Sequence, residues 1–370
     1  MEMLRVQYLL HVDATEAEAR AETIAREQTV EVPRSAIADT FVENEILGRV
    51  EEVTADPQGG QRAVLAFPAA TTAFDPSQLL NVMFGNTSMH SDVECVDVDF
   101  PPSLLLSMGG PRFGIGGLRR CVGVREGPLT CTAAKPMGLS PDALADLAAT
   151  FARAGIDVVK DDHGLADHAF CPFEPRVKAC LEALERVADE TGHLALYVPN
   201  LNGSPDTVFR QLEVAQRLGA RAVMASPMLI GLPVFWELCQ QRASVPVLAH
   251  PAFSGSIRIA PELLFGKLYR LFGADAVIFL HHQSRFPVSE ESCRTTAERL
   301  TGKWGDIETS LPVPAGGIEL DTVADVLGFY GDEAMLLVGG SLQRDPSAVF
   351  ERSREFVETV HAARTGGEHW

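Results

Sequence analysis

Positive charge is scarce in this sequence. Lys and Arg number 31 against 50 Asp and Glu, a formal charge of −19, and the densest basic cluster is the pair Arg119–Arg120. Such a chain repels phosphate backbones and anionic lipid, which excludes nucleic acid and membrane surfaces as partners. No apolar run approaches the roughly 20 residues of a membrane helix. Met1-Glu2-Met3-Leu4-Arg5 lacks the basic region and apolar stretch of a signal peptide. The seven cysteines (Cys95, Cys121, Cys131, Cys171, Cys180, Cys239, Cys293) form no CxxC pair and are odd in number. They read as reduced thiols of a cytoplasmic protein, and not as a disulfide framework or a zinc knuckle. A G-x-S-x-G elbow and a Walker loop are also missing. What remains is an ordinary globular composition, 46% hydrophobic and 22% charged over 370 residues, long enough for two domains or one large one.

The chain divides near residue 120. Before it, strand-forming residues 4–12 precede an Ala/Glu-rich helix that begins at Ala14. Two strands (46–55 and 61–68) flank an Asp-Pro-Gln-Gly-Gly turn, a helix spans 76–85, and a strand spans 93–100. Strand, helix, strand, strand, helix, strand is the ferredoxin-like α+β order. From Gly127 on, apolar strands alternate with helices: 129–135, 156–162, 193–199, 221–226, 245–250, 275–281, 310–316 and 334–340. Ser140, Ser204 and Asp345, each followed by Pro, cap helices between them. Eight such units in about 250 residues predict a TIM (β/α)8 barrel. The fold class is therefore α/β, with a ferredoxin-like domain at 1–120 and a catalytic barrel at 121–370. The run GGPRFGIGG (109–117) joins no strand to a helix in a βαβ unit, so it is not a dinucleotide fingerprint and reads as a flexible interdomain linker.

A barrel places its chemistry at the C-terminal ends of its strands. Strand 1 ends at Lys135, which can move protons when desolvated. Strand 2 ends in Lys160-Asp161-Asp162-His163. Alternation puts Lys160 and Asp162 on one face, and oxygen donors with one imidazole suit Mg²⁺ or a similar ion. His250 and His281–His282 close strands 5 and 6 and are candidate acid–base groups. Gly316–Gly317 and Gly339–Gly340 close strands 7 and 8, where barrels hold phosphate on backbone N–H groups. The residues alone thus predict an enzyme that binds a phosphorylated small molecule beside a divalent metal.

The same residues carry a family resemblance. GPRFGI (110–115), TAAKPMGLS (132–140), GIDVVKDDHG (155–164), LAHPAFSGS (248–256), PAGGI (314–318) and LLVGGSL (336–342) occur in this order. In that order the chain resembles the large-subunit family of ribulose bisphosphate carboxylase over nearly its whole length. The resemblance implies a catalytic role for Lys135, and Mg²⁺ held by a carbamylated Lys160 with Asp162 and His163. It implies a substrate phosphate on Gly316, Gly317, Gly339 and Gly340. It also implies a homodimer with composite active sites, in which Asn86 reaches into the partner's barrel.

Departures from the carboxylase pattern bear on activity. Met137 stands where carboxylases have a second lysine, and Pro251 where an arginine holds the second phosphate of a bisphosphate. The loop Gln283–Ser289 has no lysine, and the third metal ligand is His163 in place of Glu. These features resemble a RuBisCO-like protein that keeps enolising machinery without carboxylation. The implied reaction is isomerisation of 5-methylthioribulose 1-phosphate by proton transfer, in methionine salvage. The apolar Phe286, Pro287 and Met137 would suit the methylthio tail, and His250 or His281 would serve as acid. Two alternatives stay open. One is a 2,3-diketo-5-methylthiopentyl-1-phosphate enolase. The other is a decarboxylase of a 3-oxo sugar-acid phosphate, for which Arg285 would meet the carboxylate.

Overall fold

The computed structural model describes residues 2–365. Four strands open the chain: β1 (Met3–Leu10), β2 (Arg49–Ala55), β3 (Gln61–Pro68) and β4 (Val93–Asp99). They pair antiparallel in the order β2-β3-β1-β4, the ferredoxin-like arrangement that the element order predicts. Alternate residues of β1 (Leu4, Val6, Tyr8 and Leu10) are buried. They share a core with Ala21 and Ile24 of the helix Ala14–Glu27 and with Leu79, Val82 and Met83 of the helix Pro76–Phe84.

Nine further strands form the second sheet: β5 (Leu129–Ala134), β6 (Val158–Asp161), β7 (Leu196–Val198), β8 (Asn200–Leu201), β9 (Val223–Ala225), β10 (Val247–Ala249), β11 (Ala276–Leu280), β12 (Leu311–Ala315) and β13 (Met335–Leu337). All pair in parallel, in the order β7-β6-β5-β13-β12-β11-β10-β9-β8. The two ends of that order, β7 and β8, are halves of one strand interrupted at Pro199, so the sheet is a closed eight-stranded barrel. Side chains of Cys131, Val158, Leu196, Met224, Leu248, Ile278, Val313 and Met335 fill its interior as one cluster, a packed core and not a pore.

The glycine-rich run before the barrel differs from the sequence expectation: it is no flexible linker. Gly110 and Pro111 are buried and the helix Gly114–Val122 follows directly. Ile115, Leu118 and Val122 of this helix join the barrel's inner cluster, and the helix crosses the residue-120 division. Its start is fixed by buried Asp275: Oδ1 accepts the N–H groups of Phe113 (2.8 Å) and Gly114 (2.7 Å), and Oδ2 accepts that of Val247 (2.8 Å). A carboxylate at a helix start satisfies amides that have no partner within the helix. Glycine is required at 114, where φ is +56° and a Cβ would meet the Thr309 carbonyl oxygen at 2.9 Å.

The two sheets are joined at one place that matters for the site. Cys95 of β4 donates its N–H to the Arg258 carbonyl (3.1 Å), and Ala260 donates back to the Cys95 carbonyl (2.9 Å). The segment after β10 is thereby held by the N-terminal domain. Among the described residues no helix is long and apolar enough to cross a membrane.

A buried ion pair locks the seam where the barrel closes. Asp161 and Arg176 have side chains 1% and 0% exposed and lie 3.1 Å apart. Asp161 also accepts the Tyr197 hydroxyl (2.5 Å) and the Asn200 N–H (3.0 Å). Removing one member of such a pair leaves an uncompensated buried charge, which typically costs about 3–5 kcal/mol. Arg176→Met is expected to lose stability of that order, read as a lowered midpoint in urea denaturation.

Candidate active site

Strand alternation builds the site. Asp161 faces the helix layer, so its neighbours Lys160 and Asp162 face the barrel mouth. There they line a cavity of about 810 Å³, together with Lys135, His163 and His250 and, across from them, Gly316, Gly317, Gly339 and Gly340. Nine of the residues singled out in the sequence as catalytic, metal-binding or phosphate-binding thus meet in one space.

At one end, Asp162 is the hub. Its Oδ1 lies 3.0 Å from Lys135 Nζ and 3.4 Å from His163 Nδ1. Burial alone would raise its pKa. The hydrogen bonds from His163 and Lys135 and the nearby lysine charges outweigh burial and hold the carboxyl well below the usual range. Lys160 is 2% exposed, and its Nζ donates to the Asp161 carbonyl (2.9 Å). Burial pushes its pKa down despite the adjacent aspartates, and the Lys135 charge adds to the fall. The amine is therefore neutral more often than a surface lysine, which is the nucleophilic form.

His250 stacks on His163, with ring centroids 4.4 Å apart and planes 12° from parallel. Its Nδ1 accepts the N–H of Ala252 at 3.1 Å. A backbone amide can only donate, so in the neutral ring the proton sits on Nε2. Burial, then the neighbouring Lys160 and His163 charges, push its pKa well below the usual histidine value. His250 is thus a neutral hydrogen-bond donor toward the cavity, with its basic nitrogen already used.

At the other end the two glycine loops form a cradle. Gly316 and Gly317 have φ of +90° and +77°, and a Cβ at 317 would press on Ser284 Cα at 3.2 Å. A Cβ at Gly339 or Gly340 would meet nothing within 4 Å. That space is open toward the cavity and not demanded by the protein's own packing. The N–H groups of Gly317, Gly339 and Gly340 donate to no protein acceptor among the described residues. Free amides at glycines suit an anion. Arg344, which the sequence reading passed over although it lies four residues after Gly340, also lines this end. Its Nη2 is 2.7 Å from Glu319 Oε1, so the ion pair spans the two loops. Arg285 lines the cavity as well.

Two residues depart from the sequence expectation. His281 does not line the cavity. While Ile278 and Leu280 of β11 line it, His281 is buried beyond the strand end, with Nδ1 3.1 Å from the Tyr330 hydroxyl and its ring against Phe329. Burial and His282 push its pKa down to about 4, so it is no acid for this site. Met137 is exposed and not in the cavity lining. Asn86, expected to serve the cavity of a second copy, lies in the N-terminal domain and does not line this chain's own cavity; its Nδ2 donates to Glu27 Oε1 at 3.0 Å. Asn200, also passed over, ties the turn after β6 in place by donating to the His163 and Leu165 carbonyls (3.1 and 2.9 Å).

Could the cluster hold a divalent cation? Among the described residues no three His, Cys, Asp or Glu side chains gather in ligating positions. Asp162 and His163 supply two converging donors, one oxygen and one nitrogen. The set fits a cation when a third donor comes from the Lys160 side chain, which shares the cavity with them.

This arrangement defines a barrel protein with an acid–base end and an anion-binding end in one cavity, and comparison with known proteins gives its kinship. The ribulose bisphosphate carboxylase large chain, catalytic domain, matches residues 114–277. Over 359 residues the chain is 42% identical to ribulose bisphosphate carboxylase-like protein 1 of Rhodopseudomonas palustris, covering 97% of this chain and 98% of that one. It is equally 42% identical, over 98% of both chains, to the 5-methylthioribulose-1-phosphate isomerase of Rhodospirillum rubrum. A 2,3-diketo-5-methylthiopentyl-1-phosphate enolase from Geobacillus kaustophilus is more distant, at 32% over 99% of this chain and 94% of its own. The crystal structure of a RuBisCO-like protein from Rhodopseudomonas palustris superposes with a TM-score of 0.91 at 40% identity, covering all of both chains. The chain belongs to the ribulose bisphosphate carboxylase large-chain family, as a RuBisCO-like protein. Mg²⁺ is typical of that family.

Two outcomes test the geometry. Arg344→Gln removes a charge-assisted hydrogen bond worth about 1.5–3 kcal/mol. It is expected to weaken inorganic phosphate binding at least tenfold by calorimetry, while Glu319→Gln, which frees Arg344, is not. His250 has a folded-state pKa below its unfolded value. The unfolded chain therefore takes up a proton that the folded chain refuses, and stability falls as the pH drops below about 6.5. His250→Gln is expected to flatten that part of the pH–stability curve, measured by thermal unfolding.

Proposed function

We propose that this protein is an isomerase of a phosphorylated ketose, acting on 5-methylthioribulose 1-phosphate by proton transfer and not on CO₂. One observation carries the reading: a single cavity joins Lys135, Lys160, Asp162 and His250 to a two-loop anion cradle. It occurs in a chain 42% identical along its whole length to an enzyme named for that isomerisation.

The substrate phosphate sits on the amides of Gly317, Gly339 and Gly340, with Arg344 beside it. This anchors one end of the substrate and points its carbonyl end at the acid–base cluster. His250 Nε2–H donates to a substrate oxygen on which negative charge grows. Lys135, or Lys160 carrying a carbamate, takes the proton from the carbon next to the carbonyl. Asp162 holds Lys135 in place, its Oδ1 lying 3.0 Å from Lys135 Nζ. The proton is returned to a neighbouring carbon and the carbonyl moves along the chain, so no atom is gained or lost and no redox partner is needed. Asp162, His163 and carbamylated Lys160 would hold Mg²⁺, which would supply Lewis-acid stabilisation of negative charge on the substrate. His163 brings no charge where the family's usual ligand is an acid, so this chain depends on the carbamate for a second negative ligand beside Asp162.

RuBisCO-family proteins are oligomeric, with active sites at the dimer interface. The same arrangement here makes a homodimer in which Asn86 completes the cavity of a second copy.

The test is proton NMR in D₂O with Mg²⁺ and 5-methylthioribulose 1-phosphate. Deuterium entering the carbon skeleton together with a new methylthio-pentulose phosphate is the expected result. Lys135→Ala should slow that conversion by about 10²–10⁴-fold, the usual range for an acid–base group, with circular dichroism unchanged. Full activity in this variant, or no exchange in the unmodified protein, removes the assignment.

A further inference from the structure

β5 and β13 run side by side, and Leu129–Cys131 pairs with Met335–Leu337. In a parallel ladder one residue bonds both the carbonyl before its partner and the amide after it. The pairing continues one step past β13. Val338 N–H donates to the Cys131 carbonyl (3.0 Å), and Thr132 Oγ1 donates to the Val338 carbonyl (2.8 Å). The next step would set the Gly340 peptide between the Ala133 carbonyl and the Lys135 N–H. The chain instead turns at Gly339–Gly340 into a tight loop, in which Leu342 N–H donates to the Gly339 carbonyl and Gln343 N–H to the Gly340 carbonyl, both at 3.2 Å. The Gln343 side chain takes over that step. Its Nε2 donates to the Ala133 carbonyl (2.8 Å), and its Oε1 accepts the Lys135 N–H (3.1 Å). A carbonyl can only accept and an amide N–H can only donate, so both bonds fix the same orientation of the carboxamide. The group carries the donor and the acceptor of a peptide unit and replaces one bond for bond. Nε2 also lies 3.4 Å from the Gly339 carbonyl.

We infer that Gln343 is a positioning residue, whose carboxamide stands in for the Gly340 peptide in the barrel ladder and so leaves the Gly340 amide to an anion while holding Lys135 at its strand end. The inference rests on the roles given above to Lys135 and the anion cradle, and deepens that reading. Two demands conflict at this corner of the barrel. The end of β5 needs a partner if Lys135 is to stay aimed at Asp162, whose Oδ1 is 3.0 Å from its Nζ. The anion needs the amides of the adjoining loop unpaired. One N–H has one proton to donate, so the Gly340 amide cannot serve both. A side chain three residues further on meets the first demand and leaves the second to the backbone. Its place is secured by Leu342, which is fully buried. Arg344 follows at once and lines the cavity, so one turn presents Gln343 to β5 and Arg344 to the anion end.

The probe is inorganic phosphate, titrated into the full-length protein by calorimetry. Gln343→Met keeps the side-chain length and removes both bonds, so the Gly340 peptide is drawn back to β5. Phosphate should then bind at least about tenfold more weakly, the worth of one charge-assisted hydrogen bond. Thr132→Val is the control. It deletes a buried hydrogen bond between the same two segments one step deeper, and should lower the urea midpoint while leaving phosphate affinity unchanged. Unchanged affinity in Gln343→Met overturns the inference, as does a parent protein that binds no phosphate. An equal loss in Thr132→Val also overturns it, because weakening these strands would then suffice. Gln343→Asn, whose carboxamide is one methylene short, carries the same expectation should Gln343→Met fail to fold. With 5-methylthioribulose 1-phosphate, Gln343→Met should lower kcat as well as raise KM; a raised KM with kcat intact overturns the hold on Lys135. Phosphate is not a substrate, so a protein that shows the contrast between the variants but does not isomerise fails only the reading of the reaction.

Discussion

The buried Asp161–Arg176 pair is the constraint on which the site depends. Strand β6 is four residues long, and a register slip of one residue would exchange everything it presents. Asp161 cannot face the barrel mouth, because its two carboxylate oxygens are committed to Arg176, Tyr197 and the Asn200 amide. Those bonds reach from β6 to both halves of the strand broken at Pro199, the seam at which the barrel closes. Closing the barrel and turning Lys160 and Asp162 inward are thus one event. The same network fixes Asn200, whose amide holds the His163 and Leu165 carbonyls and so shapes the turn that carries the imidazole.

A chain with a charge of −19 keeps its cations where an anion is wanted. Lys135, Lys160, Arg285 and Arg344 line the cavity against Asp162 and Glu319. The acidic remainder of the surface repels other polyanions, while the local field at the barrel mouth favours a small anion. Within the cavity, burial divides the labour. Lys160 and His250 are driven toward neutrality, and Asp162 is kept ionised by what surrounds it. Groups whose environments push their pKa values apart are what acid–base chemistry near neutral pH requires. The family's carboxylating members and this chain share the fold.

Much of this was legible in one dimension. The order of elements before residue 120 announced a ferredoxin-like sheet, and uniform apolar runs from Leu129 onward announced a fully covered parallel one. Eight apolar runs matched the barrel's strands, with β8 falling just past the end of the run that holds β7. Because a barrel's chemistry follows its strand ends, Lys135, Lys160, Asp162, His163, His250 and the four glycines could be picked out by position. The same logic failed at His281, since a strand end offers two faces and the sequence does not say which residue turns inward. It failed at Met137, one residue beyond the Lys135-Pro136 pair and outside the cavity lining, and at GGPRFGIGG, whose glycines serve close packing at the barrel floor.

What the sequence determined by itself was therefore the set of elements and the chemistry at their ends, because hydrophobic period and turn residues are local properties. Only the tertiary structure decided which of those groups share a cavity. The pairing of Arg344 with Glu319 across two loops, the choice of tautomer at His250 by a backbone amide, and the place of Gln343 in the ladder beside Lys135 depend on residues far apart in the chain, or on backbone turns that the surrounding packing imposes. No spacing of letters encodes these relations, because they arise from closing the barrel.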